Sequence, residues 1–373
     1  MTVYSYGTIN LQPAYTIQPH EESPLNESPE PLPPHNDEAL TSVDQITPTK
    51  ALTLRNIFLG ADGLRAGWSI LIFIALMAGF LKGVSALNHI LHLLPKSGAA
   101  NTDAAPAFAF ATESIPFFAT LLVTWIMSRI EKRPVSVYGL GDQRRFSHFF
   151  AGVAWGVTCL SLLVFTLLKT GLLVIDTRLL FGSDIFRYGT VWLFGFLLVG
   201  LLEEYLTRGY LQYTLTRGLA GFYKWAFKTR HSAALGFWTA AAVFSIVFGL
   251  GHNSNPGESP IGVAAAGLAA LVFCLSLWRT GSLWWAIGFH TSWDWAQSFL
   301  YGVADSGIMV KFHLFATHPV GKPLLSGGAT GPEGSIFILP VLSLVTIIIL
   351  FTLPGTGNNY ARLLPAEPQP SGA

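Results

Sequence analysis

The sequence predicts an all-α fold, a polytopic transmembrane bundle of about eight helices. Two observations carry this. Of the 373 residues, 51% are apolar and only 12% are charged, about half the charge of an ordinary soluble domain. The apolar residues also fall in long unbroken runs, eight of which approach the ~20 residues needed to cross ~30 Å of hydrocarbon. Barrel strands would instead alternate apolar and polar residues over ~10 positions.

In order, the runs are Ala66 to Leu91, Pro106 to Ser128, Phe149 to Leu168, Val191 to Leu215, Ala233 to Gly251, Ile261 to Trp278, Ser282 to Val303 and Ile336 to Leu353. Between them lie a polar segment, Arg129 to Arg145, a tight turn, Pro256 to Pro260, and a Gly-rich loop, Gly327 to Gly334. No internal repeat is visible. Residues 1–50 hold eight prolines, seven acidic residues and one basic residue, Lys50. Such a stretch buries too little apolar surface to fold, so a disordered acidic tail is expected there. It lacks the basic and apolar regions of a secretory signal peptide. Residues 51–357 then form the membrane domain and 358–373 a short C-terminal tail. Cys159 and Cys274 both lie in apolar runs and read as small core residues.

The net charge of +1 gives no field suited to nucleic acid. Lys and Arg concentrate before the first run (Lys50, Arg55, Arg65), between the second and third (Arg129, Lys132, Arg133, Arg144, Arg145) and between the fourth and fifth (Arg217, Lys224, Lys228, Arg230). By the positive-inside rule both termini are cytoplasmic. The short loops suggest a multi-pass protein of a bacterial inner membrane.

The fourth run carries three charges in six residues, Glu203, Glu204 and Arg208. On insertion scales that is roughly 7–10 kcal/mol against entering the bilayer, so these side chains face partners or water and mark a functional site. Residues four apart share a helix face, which pairs Glu204 with Arg208. Glu203 is turned about 100° away and is left to look into the bundle. His252 ends the fifth run in Phe248-Gly249-Leu250-Gly251-His252, whose glycines would admit a close neighbouring helix. His290 and Asp294 share a face of the seventh. A carboxylate and two imidazoles on different helices can hold a divalent metal or activate a water.

Glu203-Glu204-x-x-x-Arg208, Phe248-x-x-x-His252 and His290-x-x-x-Asp294, in this order and each in an apolar run, resemble the three motifs of the CPBP intramembrane endopeptidases, also known as the CAAX-protease and bacteriocin-processing (Abi) family. The resemblance covers residues 191–303. It implies a peptide hydrolase in which Glu203 is the general base for an attacking water. His252 would be a second catalytic residue, metal ligand or hydrogen-bonding group, and His290 its partner in holding water or metal. Asp294 would orient His290 or help stabilise the oxyanion, and Glu204 and Arg208 would be an orienting pair. A divalent ion such as zinc would sit on His252, His290 and Asp294. Substrates would be C-terminal segments of prenylated proteins, or bacteriocins and their leaders. The third motif often ends in Asn where this chain has Asp294, and Thr207 stands where Phe is common.

Plainer readings exist for each group. The first motif could be a buried ion triad, His252 an interfacial residue, and His290 with Asp294 an interhelical hydrogen-bonded pair. Trp284, Trp285, Trp293 and Trp295 read as interfacial or packing aromatics. Glu113, near one end of the second run, has no assigned role. Neither His-Glu-x-x-His nor Gly-x-Ser-Gly occurs. Gly139-Leu140-Gly141-Asp142 matches an aspartyl-protease motif but lies in a polar loop. Intramembrane charges also mark transporters, though no inverted repeat supports that class. An inactive membrane scaffold or immunity protein is the other alternative.

Overall fold

The computed structural model describes residues 54–60, 62–91, 103–354 and 360–364. The expected disordered tail and most of the C-terminal tail lie outside the described residues.

All eight apolar runs form helices. We label them α1 (Ala66–Leu91), α2 (Pro106–Glu131), α3 (Arg145–Lys169), α4 (Ser183–Phe227), α5 (Ser232–His252), α6 (Pro260–Thr280), α7 (Trp284–Trp295) and α8 (Ile338–Thr352). The first six are long and apolar enough to cross a membrane. Helix α7 is continued by a π-helical segment, Ala296–Leu300, and α8 has 15 residues.

Local chemistry sets the ends. Pro106 and Pro260 occupy first-turn positions, where the missing N–H loses no helical bond. The Ser259 hydroxyl accepts from the Gly262 N–H at 3.1 Å and caps α6. Gly281 ends the same helix at φ 69°, a left-handed conformation that glycine adopts without strain. The aspartyl-protease-like tetrapeptide serves such a boundary: Asp142 accepts from the Arg144 N–H at 2.8 Å and pairs with His148 at 2.6 Å where α3 begins.

Helix α4 departs most from expectation. It is a continuous 45-residue element, roughly 65 Å long, and so exceeds a bilayer. Its middle is a π-helical segment, Glu204–Leu211. Three two-stranded sheets among the described residues were also not foreseen. Besides an antiparallel pair of Leu59–Gly60 with Gly63–Leu64, one pairs β1 (Asp103–Ala104) with β3 (Met309–Val310) in parallel, and the second pairs β2 (Leu173–Arg178) with β4 (Phe315–Pro319) antiparallel. In the second, Leu173 faces Pro319 and Arg178 faces Phe315, with an irregularity between Ile175 and Thr177. The partners in these last two lie far apart in sequence, so no local pattern signals either pairing.

Helices α3 and α7 pack with backbones nearly touching. A Cβ on Gly152 would meet the Trp285 carbonyl, and one on Gly288 that of Phe149; small residues permit such contact between helices. One buried cluster joins α3, α6, α7 and α8 through Leu160, Leu163, Phe273, Trp285 and Val345. A second, rich in aromatics, joins Phe73, Met127, Tyr138, Tyr210, Tyr213, Phe237 and Tyr360. It surrounds Glu131, which accepts from the Tyr138 and Tyr210 hydroxyls at 3.2 Å each and lies 3.6 Å from Arg217. Glu131, within the polar segment Arg129 to Arg145, is the buried last residue of α2. Outward faces carry Ile74, Phe118, Phe150, Ile246 and Phe351, all exposed, as a lipid-facing surface requires. The four Trp residues of the α7 region pack inward: Trp285 and Trp293 are buried, Trp284 donates to Leu140 O and Trp295 to Gly189 O. Both cysteines are buried and free.

Candidate active site

The three motifs meet at one cavity of about 790 Å³. Glu203 ends the α-helical part of α4 and Glu204 opens the π-helical segment, a local widening that recurs at functional sites. Helix α4 is pressed against α7 just before the pair: a Cβ on Gly200 would lie 2.8 Å from Thr291 Oγ1. This brings both glutamates alongside His290.

Glu204 is fully buried and its Oε1 accepts twice, from Arg208 Nη1 at 2.6 Å and from His290 Nδ1 at 3.0 Å. Arg208 also donates through Nε to Ala270 O at 3.2 Å. Its guanidinium lies 5.0 Å from the Phe248 ring centre and 5.4 Å from that of Phe273, a cation held by aromatic faces as well as by its carboxylate. The expected Glu204–Arg208 pair is thus present, and it also orients the histidine.

With Nδ1 turned to Glu204, His290 presents Nε2 between Asp294 Oδ2 at 3.5 Å and Glu203 Oε2 at 3.7 Å. Glu203 Oε2 is buried and has no hydrogen-bond partner among the described residues. Glu203 therefore does look into the bundle. His252 lines the same cavity. Its Nδ1 lies 2.8 Å from Phe248 O; a carbonyl only accepts, so Nδ1 carries the proton and Nε2 is left as an acceptor. Of the two glycines before it, Gly249 makes the expected close contact, its Cβ position 2.6 Å from Val263 O. Gly251 faces open space instead and lines the cavity.

Among the described residues, no group of three or more His, Cys, Asp or Glu is placed to hold a metal ion. His290 and Asp294 adjoin. The His290 Nδ1 is held by Glu204 and the His252 Nδ1 by its own helix, so each imidazole keeps its Nε2, the arrangement a metal-ligating histidine adopts.

The cavity wall contains polar residues that the sequence reading did not select: Glu113 on α2, Asn255 three residues past His252, and Asp305, Ser306 and Glu333 in the loops after α7. Glu113 was visible as an intramembrane acid. Asp305 and Glu333 lie in segments that read as solvated loops, and no local signal distinguishes them. Burial, then the neighbouring Asp294 and Glu333 charges, pushes Asp305 well above the usual carboxylate range. Burial also raises Glu333, despite two hydrogen bonds from Ser306 that oppose the shift.

Fold and site together define a polytopic membrane protein with a partly open, carboxylate-rich cavity. Residues 186–296 match the family model described as Type II CAAX prenyl endopeptidase Rce1-like, a model of the CPBP family. The matched stretch spans α4 to α7 and holds all three motifs. No curated protein and no solved structure matches the chain.

Proposed function

We propose that the protein is an intramembrane endopeptidase in which Glu203 activates water. The observation that carries this is Glu203, whose Oε2 accepts no hydrogen bond among the described residues, lining a cavity shared with His252, His290 and Asp294. Glu203 takes a proton from a water, and the hydroxide oxygen attacks the peptide carbonyl. The carbonyl electrons move onto its oxygen, then return as the C–N bond breaks, and the Glu203 proton passes to the leaving amine. His290, fixed by Glu204 and Arg208, holds the water or the developing oxyanion through Nε2, and His252 offers a second Nε2. Partial withdrawal from water strengthens each of these interactions.

The family match supports peptide substrates with prenylated C-termini; bacteriocin or leader peptides are the other substrates we carry forward. Loop charges support cytoplasmic termini in a bacterial inner membrane. The test is cleavage of membrane peptides by purified protein. Glu203→Gln is expected to lower the rate by about 10²–10⁴-fold, the range for loss of a general base, with unchanged thermal stability. Full activity in that variant would remove Glu203 from the mechanism, and a folded wild type that cuts nothing would favour a scaffold. A chelator arm reads whether an ion takes part.

A further inference from the structure

The cavity is lined by five carboxylates, those of Glu113, Glu203, Asp294, Asp305 and Glu333, against two imidazoles and no Lys or Arg. Two of the five come from loops outside the matched segment, and neither has an ion-pair partner among the described residues. Both are held in place. Ser298 donates to Asp305 Oδ2 at 3.4 Å, and Ser306 donates to Glu333 Oε1 through its backbone N–H and, at 2.9 Å, its hydroxyl. Gln297 ties the same turn to the end of α7 by donating to Ala304 O at 2.8 Å, and the Gly307 N–H donates to Thr330 O at 3.0 Å. Asp305 and Glu333 are thus fixed acceptors in the wall that faces the catalytic motif, not ends of mobile loops.

His290 is already shared among Glu203, Glu204 and Asp294, so Asp305 and Glu333 have no cationic partner among the described residues, and carboxylates withdrawn from water in this way are poorly solvated and repel their neighbours. An apolar lipid chain relieves neither effect and peptide N–H groups relieve only the first, whereas an ammonium or guanidinium relieves both. We propose that the cavity selects substrates with a cationic side chain close to the scissile bond, and that Asp305 and Glu333 are the specificity-determining residues. This rests on the endopeptidase reading of the same site.

The test uses the full-length protein and a series of membrane peptides that differ at one position, carrying Lys, acetyl-lysine or Glu, scanned over the residues on either side of the cut. Acetyl-lysine keeps the stem and removes the charge. At one position Lys is expected to exceed acetyl-lysine by about tenfold or more in kcat/KM, equivalent to about 1.4 kcal/mol, with Glu slowest. In Asp305→Asn and Glu333→Gln, which keep an acceptor oxygen for the serines, the Lys to acetyl-lysine ratio falls toward one. The ratio is independent of how much enzyme is folded; if a variant cannot be assayed, the wild-type ratio alone decides. Equal wild-type rates for Lys and acetyl-lysine at every position, or a ratio unmoved in both variants, would overturn the proposal while leaving the endopeptidase reading intact. Cleavage of no peptide at all would bring down that reading and this one with it.

Discussion

At the scale of single residues, Glu204 and Arg208 show why a charged pair persists in an apolar helix. Each is nearly inaccessible, and removing one partner strands the other, a penalty of about 3–5 kcal/mol for buried pairs. Arg208→Met should therefore lower the unfolding temperature sharply in detergent. Joined to Glu204→Gln, it should cost less than the sum of the two single changes, which a double-mutant cycle of thermal unfolding would read. Additive losses would mean that the residues act separately. The pair was legible in the sequence from its spacing. That Glu204 also anchors His290 was not, because the contact joins residues 86 positions apart.

At the scale of elements, the two glycines before His252 separate packing from access. Gly249 abuts the α6 backbone at Val263, whereas nothing lies near a Cβ on Gly251. Gly249→Ala should force α5 and α6 apart and destabilise the protein. Gly251→Ala should stabilise it by about 0.5–1 kcal/mol, the usual gain from replacing a helical glycine. Thermal unfolding of the two variants side by side checks this, and equal effects would contradict the geometry. Helix positions were legible because hydrocarbon demands long apolar runs. The α4 ends were not, since its last turns carry ordinary polar residues. Strands β2 and β4 were invisible because each finds its partner only after the bundle has formed.

At the scale of the whole molecule, the loops after α7 tie acid stability to the cavity. Asp305 and Glu333 have folded-state pKa values raised above 3.8 and 4.5. Raised carboxyl values mean that the folded state keeps protons the unfolded chain releases, so stability falls as pH rises from those ordinary values toward the folded-state ones. Asp305→Asn, neutral at every pH, should unfold at a higher temperature than wild type at neutral pH, and the gap should close as pH falls toward 4. A gap that widened in acid would show that Asp305 is stabilised as an anion. Such an effect cannot be read from a Gly-rich stretch of sequence, because it arises from enclosure by remote segments.

The π-helical segment of α4 has a further meaning. A π turn holds one residue more than the α turn it replaces, so everything beyond it is rotated by about 100° relative to an uninterrupted helix. On one side of it stands Glu203, turned to the cavity; on the other stand Tyr213 and Arg217, turned to the aromatic cluster around Glu131. The two networks lie on either side of this segment in one continuous helix, and the surplus residue sets their phase. Without it, the helix could aim its carboxylate or its arginine correctly, but not both.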